Sequence, residues 1–250
     1  SQAGRTLATQ GNLNNEIGVP LTLLTLEPGL DYAVVEMGAA RAGDIAWLCE
    51  LGRPTIALLL NAMPAHLQGF GSVEDVAAAK GEIFDGLDAG DCAVINADQP
   101  WADSWRKRAG AATIMDFGLT APAAVSAAEI SLRGTLGVSF TAITPRGELA
   151  VDLALPGKHN VANALAAIAV GLACGLPLEQ IGVGLATVQP TAGRLAAAVS
   201  PAGVTVIDDC YNANPGSVRA AIDTLAGCDG STTLVLGAMK ELGPTSESLH

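Results

Sequence analysis

The 250-residue chain is half apolar, yet only 4% of its residues are aromatic and 29 are glycine. An apolar mass of small aliphatic residues with this many glycines favours layered α/β domains over an all-β sandwich. The net charge of −12 argues against binding to nucleic acid or to an anionic membrane, since either partner requires a basic face. An anionic small-molecule substrate is compatible with this charge, because backbone N–H groups and a divalent metal bind phosphate in acidic proteins.

Cysteine usage and hydropathy bear on the cellular compartment. The five cysteines are scattered and include no CxxC pair, which is typical of a reduced protein with free thiols and not of a disulfide framework or a zinc site. No uncharged apolar run reaches about 18 residues, and no signal peptide is visible. We therefore expect a cytoplasmic protein without membrane insertion.

In chain order, the first predicted feature is a loop rich in Gly and Asn that opens residues 9–24. Three of the four positions from Asn12 to Asn15 are asparagine, which favours turns and also supplies side-chain amides for binding. Strand and helix patterns then alternate as in a parallel βαβ sheet. We predict strands at 31–37, 55–60, 91–96 and 111–117, and helices at 44–51 and 72–86.

Two polar residues lie at or just after the ends of predicted strands. Glu36 closes the strand at 31–37, and His66 lies in the loop after the strand at 55–60. Ligands of open parallel sheets bind outside the carboxyl ends of the strands, which favours a functional position for both side chains. A single histidine after a strand is more often structural, so each residue alone is a weak signal.

Lys80 is the anomalous residue of the predicted helix at 72–86. Ser72 begins a capping-box pattern that sets the start of this helix. On a 3.6-residue period, Lys80 falls within the apolar stripe of Val76 and Ile83 and has no carboxylate beside it. A buried amine has a lowered pKa and can act as a base, form a Schiff base or add CO₂ to become a carbamate. The alternative is that Lys80 extends to the surface along an Ala-rich helix.

Glu36, His66 and Lys80 are predicted to meet at one edge of one sheet. A carboxylate and an imidazole suit Mg²⁺ or Mn²⁺, with water completing the coordination. A carbamate on Lys80 would add a second carboxylate-like ligand or a clamp on metal-bound water. The pattern therefore predicts a divalent metal site, although each of the three residues also has an ordinary structural explanation.

The middle of the chain changes character. Residues 125–155 alternate with period 2 around glycine turns, which predicts two or three antiparallel strands attached to the edge of the parallel sheet. A strongly helical segment follows, which we expect Asn160 to cap, and another short helix is predicted at 178–188.

The Pro/Gly segment at 189–195 is the predicted hinge between two domains, at 1–190 and 191–250. Beyond the hinge the βαβ pattern returns, because a predicted helix at 217–226 lies between two short apolar runs. We predict these runs to be strands at 204–207 and 232–236. Pro215 suits the first position of the helix.

Short segments over nearly the whole chain match one family in order: TQGNLNNEIGVP, VVEMGAARAGDIAWL, NAMPAHLQGFGS, AAAKGEIF, INAD, LPGKHNVANALAA, AGRL, IDDCYNANPGS and LGAMKELG. On these segments the chain resembles the Mur ligases. The patterns TxGNxNNxIGxP and DDCYNANP are typical of the branch that adds D-alanyl-D-alanine. The implied fold is a mostly parallel central sheet flanked by helices with an antiparallel β extension, followed by a second, incomplete Rossmann-like α/β domain.

The resemblance also implies a reaction. The carboxylate of UDP-N-acetylmuramoyl-tripeptide takes the γ-phosphoryl group of ATP, and the amine of D-alanyl-D-alanine attacks the resulting acyl phosphate. This amide-forming step belongs to peptidoglycan precursor synthesis in the cytoplasm. The expected cofactors are ATP and Mg²⁺ or Mn²⁺, and the expected oligomeric state is a monomer.

Residue roles follow from the same resemblance. Glu36 and His66 would bind Mg²⁺, and Lys80 would be the lysine that family members carry as a carbamate. The nucleotide would be bound by the residues of a second group: Asn160 and Asn163 at the adenine, Arg194 at the phosphates, and Asp209 at the ribose or at the domain closure. Substrate contacts are expected from Asn14 and Asn15 near the phosphates or the nucleotide-sugar peptide, and from Tyr211, Asn212 and Asn214 near the incoming dipeptide.

One departure from the family pattern is serious. The phosphate loop of the G-x-x-G-K-[ST] kind is expected upstream of Thr9 and is absent from this sequence. The domain that holds the uridine nucleotide is also absent, and the C-terminal domain is expected to be cut off after LGAMKELG. We therefore expect the full-length protein to be active and the 250-residue span alone to be inactive.

Three alternatives remain at this point. The first is folylpolyglutamate synthase or another amide ligase of the same architecture, which the NxNNxIGxP and DDCYNANP segments disfavour. The second is a non-catalytic nucleotide-binding module, which the missing phosphate loop favours and the joint presence of Glu36, His66 and Lys80 disfavours. The third, an interaction scaffold, has little support because no aromatic or charged tract is present.

Overall fold

The computed structural model describes residues 3–64, 67–239, 242 and 246–250. Within them the chain has a mixed α/β fold, which confirms the predicted fold class. The strands are β1 Thr6–Ala8, β2 Tyr32–Val34, β3 Ile56–Leu59, β4 Cys92–Asn96, β5 Thr113–Phe117, β6 Ser126–Leu132, β7 Val138–Thr144, β8 Gly147–Leu153, β9 Ala196–Val199 and β10 Thr205–Asp208. The helices are α1 Gly18–Leu23, α2 Asp44–Gly52, α3 Leu67–Phe70, α4 Val73–Gly81, α5 Ala102–Arg108, α6 Lys158–Ala173, α7 Leu178–Ala186, α8 Pro215–Ala226 and α9 Ser246–Leu249.

Parallel strands form the centre of the first region, up to residue 190, but among the described residues they belong to two separate sheets, so the expectation that Glu36 and His66 follow strands of one sheet is wrong. β3, β4 and β5 pair in sequence order, and β1 pairs with β2 in a separate two-stranded parallel sheet. One face of β4 packs against α6, whose sixteen residues include eight buried ones, and the other face packs towards α4 and α5. Because both faces are covered, these strands read as continuous apolar runs.

The strand that leads to Glu36 differs from its prediction. β2 comprises only Tyr32–Val34, and Ala33 and Val34 are exposed, so the expected buried strand at 31–37 is wrong in both length and burial. The physical reason is that β2 has β1 as its partner and no second strand beside it among the described residues. Glu36 consequently lies two residues beyond the strand, in the loop that leads to α2.

The antiparallel extension is confirmed as three strands, β6 to β8, which form a sheet of their own. In the described part of the chain, its backbone connection to the parallel sheet is one parallel bridge between Phe117 and Val125. Both residues are fully buried, and they lie in the same hydrophobic core as α6. The extension therefore shares a core with the parallel sheet instead of continuing its hydrogen-bonded ladder.

The second region, from residue 191 onwards, has different strands from those predicted. β10 pairs antiparallel with β9, a strand that we did not predict, and α8 begins at Pro215 as expected. The expected strand at 232–236 is wrong: these residues form no strand, and Val235 is 91% exposed. An apolar run becomes a strand only if a neighbouring strand satisfies its backbone groups, and no described segment pairs with this one.

Two further features bear on the site. Gly157, not Asn160, is the N-cap of α6, and Asn160 lies in the first turn, where its backbone N–H bonds to the Gly157 carbonyl oxygen. The expected cap at Asn160 is therefore wrong, because Gly157 adopts a positive φ that turns the chain into the helix. In the described part of the chain, no helix combines the length and apolar character needed to cross a membrane.

Candidate active site

Glu36 is held by the Asn-rich loop at the start of the chain. The Asn14 amide nitrogen donates to Glu36 Oε1 over 2.8 Å, and the Glu36 backbone N–H donates to Thr9 Oγ1 over 2.9 Å. The Gly38 N–H in turn donates to the Asn14 carbonyl oxygen over 2.7 Å. The loop before α1 and the loop after β2 are thus bound together, and Glu36 presents an exposed carboxylate at their junction.

The segment after β3, at Gly69 in α3, packs against the loop that carries Glu36. A Cβ built on Gly69 of α3 would lie 2.5 Å from the carbonyl oxygen of Ala40, so only glycine allows the close approach of these two backbones. Ala40 lies four residues after Glu36, and Gly69 lies three residues after His66. His66 itself lies outside the described residues, so its predicted role stays a prediction.

Lys80 lies in the last turn of α4 and is half-buried, as the apolar stripe predicted. Ser72 caps this helix through a bond from the Asp75 N–H, and the indole N–H of Trp105 donates to the Ala77 carbonyl oxygen over 3.0 Å. Burial lowers the pKa of the Lys80 amine. No carboxylate among the described residues pairs with this amine, so nothing described there offsets the cost of a charge.

Glu82 points away from Lys80. Its carboxylate accepts bonds from the Gly43 N–H over 2.8 Å and from the Ala46 N–H over 3.1 Å. These donors belong to the start of α2, whose unpaired N–H groups require acceptors. The acid closest to Lys80 in sequence therefore caps a neighbouring helix, and it links α4 to the helix that follows the Glu36 loop.

A polar cleft between the two regions contains the second group of predicted residues. It is a cavity of about 290 Å³. The first turns of α6 form one wall, and the segments around the hinge and after β10 form the other. Its lining includes Asn160, Asn163, Arg194, Asp209, Tyr211 and Asn212, all of which the sequence analysis singled out.

The two asparagines of α6 are coupled within this cleft. The Asn160 amide nitrogen donates to the Pro156 carbonyl oxygen over 2.7 Å, and its Oδ1 accepts from the Asn163 amide nitrogen over 3.1 Å. Both ends of the Asn160 carboxamide are therefore engaged by protein groups. Asn163 is more exposed, and its Oδ1 has no hydrogen-bond donor among the described residues, so Asn163 is the better placed of the two to contact a ligand.

Three other predicted binding residues have local structural contacts. Asn15 Oδ1 accepts from the Gly18 N–H over 2.9 Å at the start of α1, and Asn212 Oδ1 accepts from the next backbone N–H over 2.8 Å. Asn214 is the N-cap of α8 and forms a reciprocal capping box with Ser217. These contacts explain why asparagine occurs there without a ligand, and their predicted roles in substrate binding stay predictions.

His159 lines the same cleft and was not singled out from the sequence. Burial lowers the pKa of its imidazole, an effect that the nearby Asp209 carboxylate opposes. Its ring lies against Gly157, where an added Cβ would come within 2.6 Å of the imidazole Cε1. The only available signal was its position directly before Asn160, which had been assigned to the helix cap.

These features define an α/β protein with a polar cleft between two unequal regions. In a comparison with protein families, the sequence model of the Mur ligase middle domain matches residues 1–171. The sequence model of the Mur ligase, glutamate ligase domain matches residues 193–250. The chain therefore belongs to the Mur ligase family, which confirms the resemblance seen in the sequence.

Relatives give a finer comparison. The chain is 46% identical over 250 residues to a UDP-N-acetylmuramoyl-tripeptide–D-alanyl-D-alanine ligase of Escherichia coli (strain K12), covering 100% of the chain and 55% of that protein. It is 36% identical over 249 residues to the corresponding ligase of Bacillus subtilis (strain 168), covering 97% of the chain and 52% of that protein. The chain thus spans about half the length of the curated relatives that it matches.

Solved structures agree with this assignment. A crystal structure of MurF from Acinetobacter baumannii superposes with a TM-score of 0.94 at 39% identity, covering 98% of this chain and 53% of that one. The crystal structure of MurF ligase from Thermotoga maritima in complex with ADP gives a TM-score of 0.84 at 29% identity, covering 98% of this chain and 56% of that one.

Proposed function

We propose that the chain is the catalytic core of an ATP-dependent ligase that joins D-alanyl-D-alanine to UDP-N-acetylmuramoyl-tripeptide in peptidoglycan precursor synthesis. The relatives named above carry this activity in their names, and one of the similar structures was solved with ADP. The observation that carries the proposal is the cleft, because Asn163 from one region and Arg194 and Asp209 from the other line a single cavity.

The reaction requires two transfers. The tripeptide carboxylate attacks the γ-phosphorus of ATP, and ADP leaves with the electron pair of the broken bond. The amine of D-alanyl-D-alanine then attacks the acyl carbon, loses a proton, and expels inorganic phosphate from a tetrahedral intermediate. Such transfers depend mainly on positioning and charge neutralisation.

The cleft residues suit those two needs. The Asn163 carboxamide offers a donor and an acceptor side by side, which matches an adenine edge. Arg194 supplies a permanent positive charge and a planar set of N–H donors for phosphate oxygens. Asp209, whose Oδ1 accepts from the Leu195 N–H, would accept from a ribose hydroxyl or support closure of the two regions, and closure would exclude water from the acyl phosphate.

A divalent cation is proposed to bind at Glu36, with ligands completed by His66 and water, since the described residues alone contain no group of three His, Cys, Asp or Glu side chains that could hold a metal ion. Glu36 is exposed, one of its oxygens is oriented by Asn14, and the adjoining loop leads to His66. Glu36 and His66 would hold Mg²⁺ or Mn²⁺ as oxygen and nitrogen ligands. When bound there, the cation would neutralise the charge of the phosphates. Asn14 and Asn15 would then lie near these phosphates, and Asn212 and Asn214 near the dipeptide.

Lys80 is proposed to react with CO₂. The neutral Nζ attacks the carbon of CO₂, a C–N bond forms, and a proton is released, which leaves a carbamate with two oxygens. A lowered pKa of the amine favours the neutral form that this step requires. Mass spectrometry of the intact protein under mild conditions should show an adduct of about 44 Da, the mass of one CO₂. Absence of the adduct together with unchanged activity of Lys80→Ala would rule out the carbamate.

The wider assignments are part of the same proposal. Residues 1–190 would form the ATP-binding domain, residues 191–250 would begin the C-terminal domain, and the protein would act as a cytoplasmic monomer. The neighbouring candidates are a ligase that adds glutamate and a module that binds nucleotide without catalysis.

One assay separates these candidates. The full-length protein that carries this chain is supplied with ATP, Mg²⁺ and UDP-N-acetylmuramoyl-tripeptide, and phosphate release is followed with D-alanyl-D-alanine or with glutamate. We expect release with the dipeptide only. Release with glutamate would favour a ligase that adds glutamate, and nucleotide binding without release, also when a folate replaces the tripeptide as the carboxylate donor, would favour the non-catalytic module. Robust turnover by the 250-residue span alone would refute the expectation that it is inactive.

A further inference from the structure

The backbone on both sides of Arg194, in the predicted hinge segment, has an unusual conformation. Gly193 and Leu195, the residues on either side, both have positive φ, at 74° and 50°. Glycine adopts this conformation freely, but leucine does not, so the Leu195 backbone is strained. Strain of this kind persists only where surrounding contacts hold it in place.

Two hydrogen bonds supply those contacts. The Tyr211 N–H donates to the Gly193 carbonyl oxygen over 3.0 Å, and the Leu195 N–H donates to Asp209 Oδ1 over 3.1 Å. The backbone before Arg194 and the backbone after it are therefore both fastened to the segment that follows β10. A Cβ on Gly193 would lie 3.1 Å from the Tyr211 Cβ, which shows how closely the two segments approach.

The Arg194 side chain lies over the ring of Tyr211. Its guanidinium carbon is 4.5 Å from the ring centroid, within the range of a cation–π contact. No carboxylate among the described residues pairs with Arg194. A carboxylate would occupy the N–H donors and cancel the charge, whereas an aromatic face fixes the plane of the guanidinium and leaves its in-plane donors open.

From this geometry we infer that Tyr211 is a positioning residue for Arg194, acting through the face of its ring and not through a contact of its hydroxyl with the dipeptide. The inference rests on the proposed function, in which Arg194 binds the ATP phosphates. Asp209 and Gly193 complete the support by fixing the backbone on which Arg194 is carried. Tyr211 then affects phosphoryl transfer without touching either substrate.

The first test measures kinetics in the full-length protein. Tyr211→Leu removes the aromatic face, and Tyr211→Phe keeps it while removing the hydroxyl. We expect Tyr211→Leu to lower kcat by about 10- to 100-fold, the cost of a misplaced group, with the KM for D-alanyl-D-alanine changed by less than about twofold. Tyr211→Phe should recover kcat to within about threefold of the parent value. A raised KM for the dipeptide in Tyr211→Phe, or an unchanged kcat in Tyr211→Leu, would overturn the inference.

The second test needs no activity. In the full-length protein, the Arg194 Nε–H resonance, assigned by its loss in Arg194→Lys, should be shifted upfield by the ring current of Tyr211. The shift should survive in Tyr211→Phe and vanish in Tyr211→Leu. Tyr32→Leu, which removes the other tyrosine of the chain, is the matched control and should leave the resonance in place. An Arg194 resonance at the same position in the parent protein and in the Tyr211→Phe, Tyr211→Leu and Tyr32→Leu variants would show that the guanidinium does not stack on the Tyr211 ring.

The two tests separate the inference from the proposed function. If the parent protein releases no phosphate with D-alanyl-D-alanine, the proposed function fails, and the ring-current shift still decides whether Tyr211 orients Arg194. If phosphate release is normal and the shift is absent, the positioning role fails while the ligase activity stands.

Discussion

The central strands and the strands of the second region bury very different amounts of their side chains. All five residues of β4 are buried, whereas three of the four residues of β10 are exposed. β4 lies between two parallel partners with helices over both faces, and β10 has a single antiparallel partner, β9. Apolar burial is the main source of folding free energy, so the first region carries most of the stability of this chain.

The first region holds most of the buried apolar residues, but several of the polar residues that line the cleft come from the second region. The second region supplies Arg194, Asp209 and Tyr211 to the cavity, and these groups lie on loops with few apolar contacts. Binding groups are commonly carried on loops that a rigid scaffold positions. The comparison therefore predicts that substitutions in the second region change chemistry more than stability, and that core substitutions in the first region do the reverse.

The largest expected effect is on catalysis by Arg194. In the full-length protein, Arg194→Ala should lower kcat for dipeptide-dependent phosphate release by about 10³-fold, because on the proposed function it removes the charge that would face the transferring phosphoryl group. The melting temperature of the chain should change by less than about 2 °C, since the side chain is exposed. Arg194→Lys, which keeps the charge without the planar fork, should recover part of the rate. Full activity in Arg194→Ala would show that this cleft does not bind the phosphates.

The next effect concerns stability and compares two valines directly. Val94 in β4 is 0% exposed, and Val206 in β10 is 51% exposed. Val94→Ala should lower the free energy of unfolding by about 2 kcal/mol through lost burial and a new cavity. Val206→Ala should change it by less than about 0.5 kcal/mol. Urea unfolding of both variants provides the measurement, and equal losses would contradict the contrast between the regions.

Lys80 is an exception within the first region, whose buried side chains are otherwise mostly apolar, because its amine is half-buried. Lys80→Met should raise the free energy of unfolding by on the order of 1 kcal/mol. The folded-state pKa of Lys80 is lowered, so the unfolded chain binds the extra proton between that pKa and the ordinary value of 10.5. Stability of the parent chain should therefore rise with pH across this window, relative to Lys80→Met. In CO₂-free buffer, where Lys80 is the free amine, parallel pH profiles of the two proteins in urea would contradict the burial of the amine.

The sequence alone was sufficient where a segment's structure depends on its own pattern. The strands β3 to β5 and the Ser72 cap were found because burial on both faces and capping leave local signals in the residue order. The strand at 232–236 failed because an apolar run does not encode whether a partner strand is present. β2 failed in the same way, and β9 was missed because four residues of Ala and Val carry no turn or period signal.

The candidate site was predicted as two groups of residues, one around a metal ion and one around ATP, but without the contacts that hold the second group together. Motifs pointed to Asn163, Arg194 and Asp209, yet only coordinates place them around one cavity. The Arg194–Tyr211 stack and the burial of His159 arise from backbone segments that meet across the hinge. The residue pattern within one segment does not indicate which distant segment it will contact, so these contacts could not have been inferred from the sequence.

The smallest expected effect tests whether the two regions are packed against each other. A Cβ built on Gly216, at the start of α8, would overlap the Met63 sulfur in the loop after β3. Gly216→Ala should therefore cost about 1 kcal/mol in the parent chain. The cost should disappear in the Met63→Ala background, because the shortened side chain no longer reaches the helix.

A double-mutant cycle of these two substitutions, measured by urea unfolding, should give a coupling free energy of roughly 1 kcal/mol. The separately made variant Gly184→Ala, at a glycine inside α7 with no atom within 4 Å of its added Cβ and no positive φ, controls for the general effect of adding a methyl group to a helix. A coupling of zero would mean that Met63 and Gly216 do not meet in solution. The loop that leads to His66 would then be independent of α8, and the proposed closure of the cleft would depend on the predicted hinge at 189–195 alone.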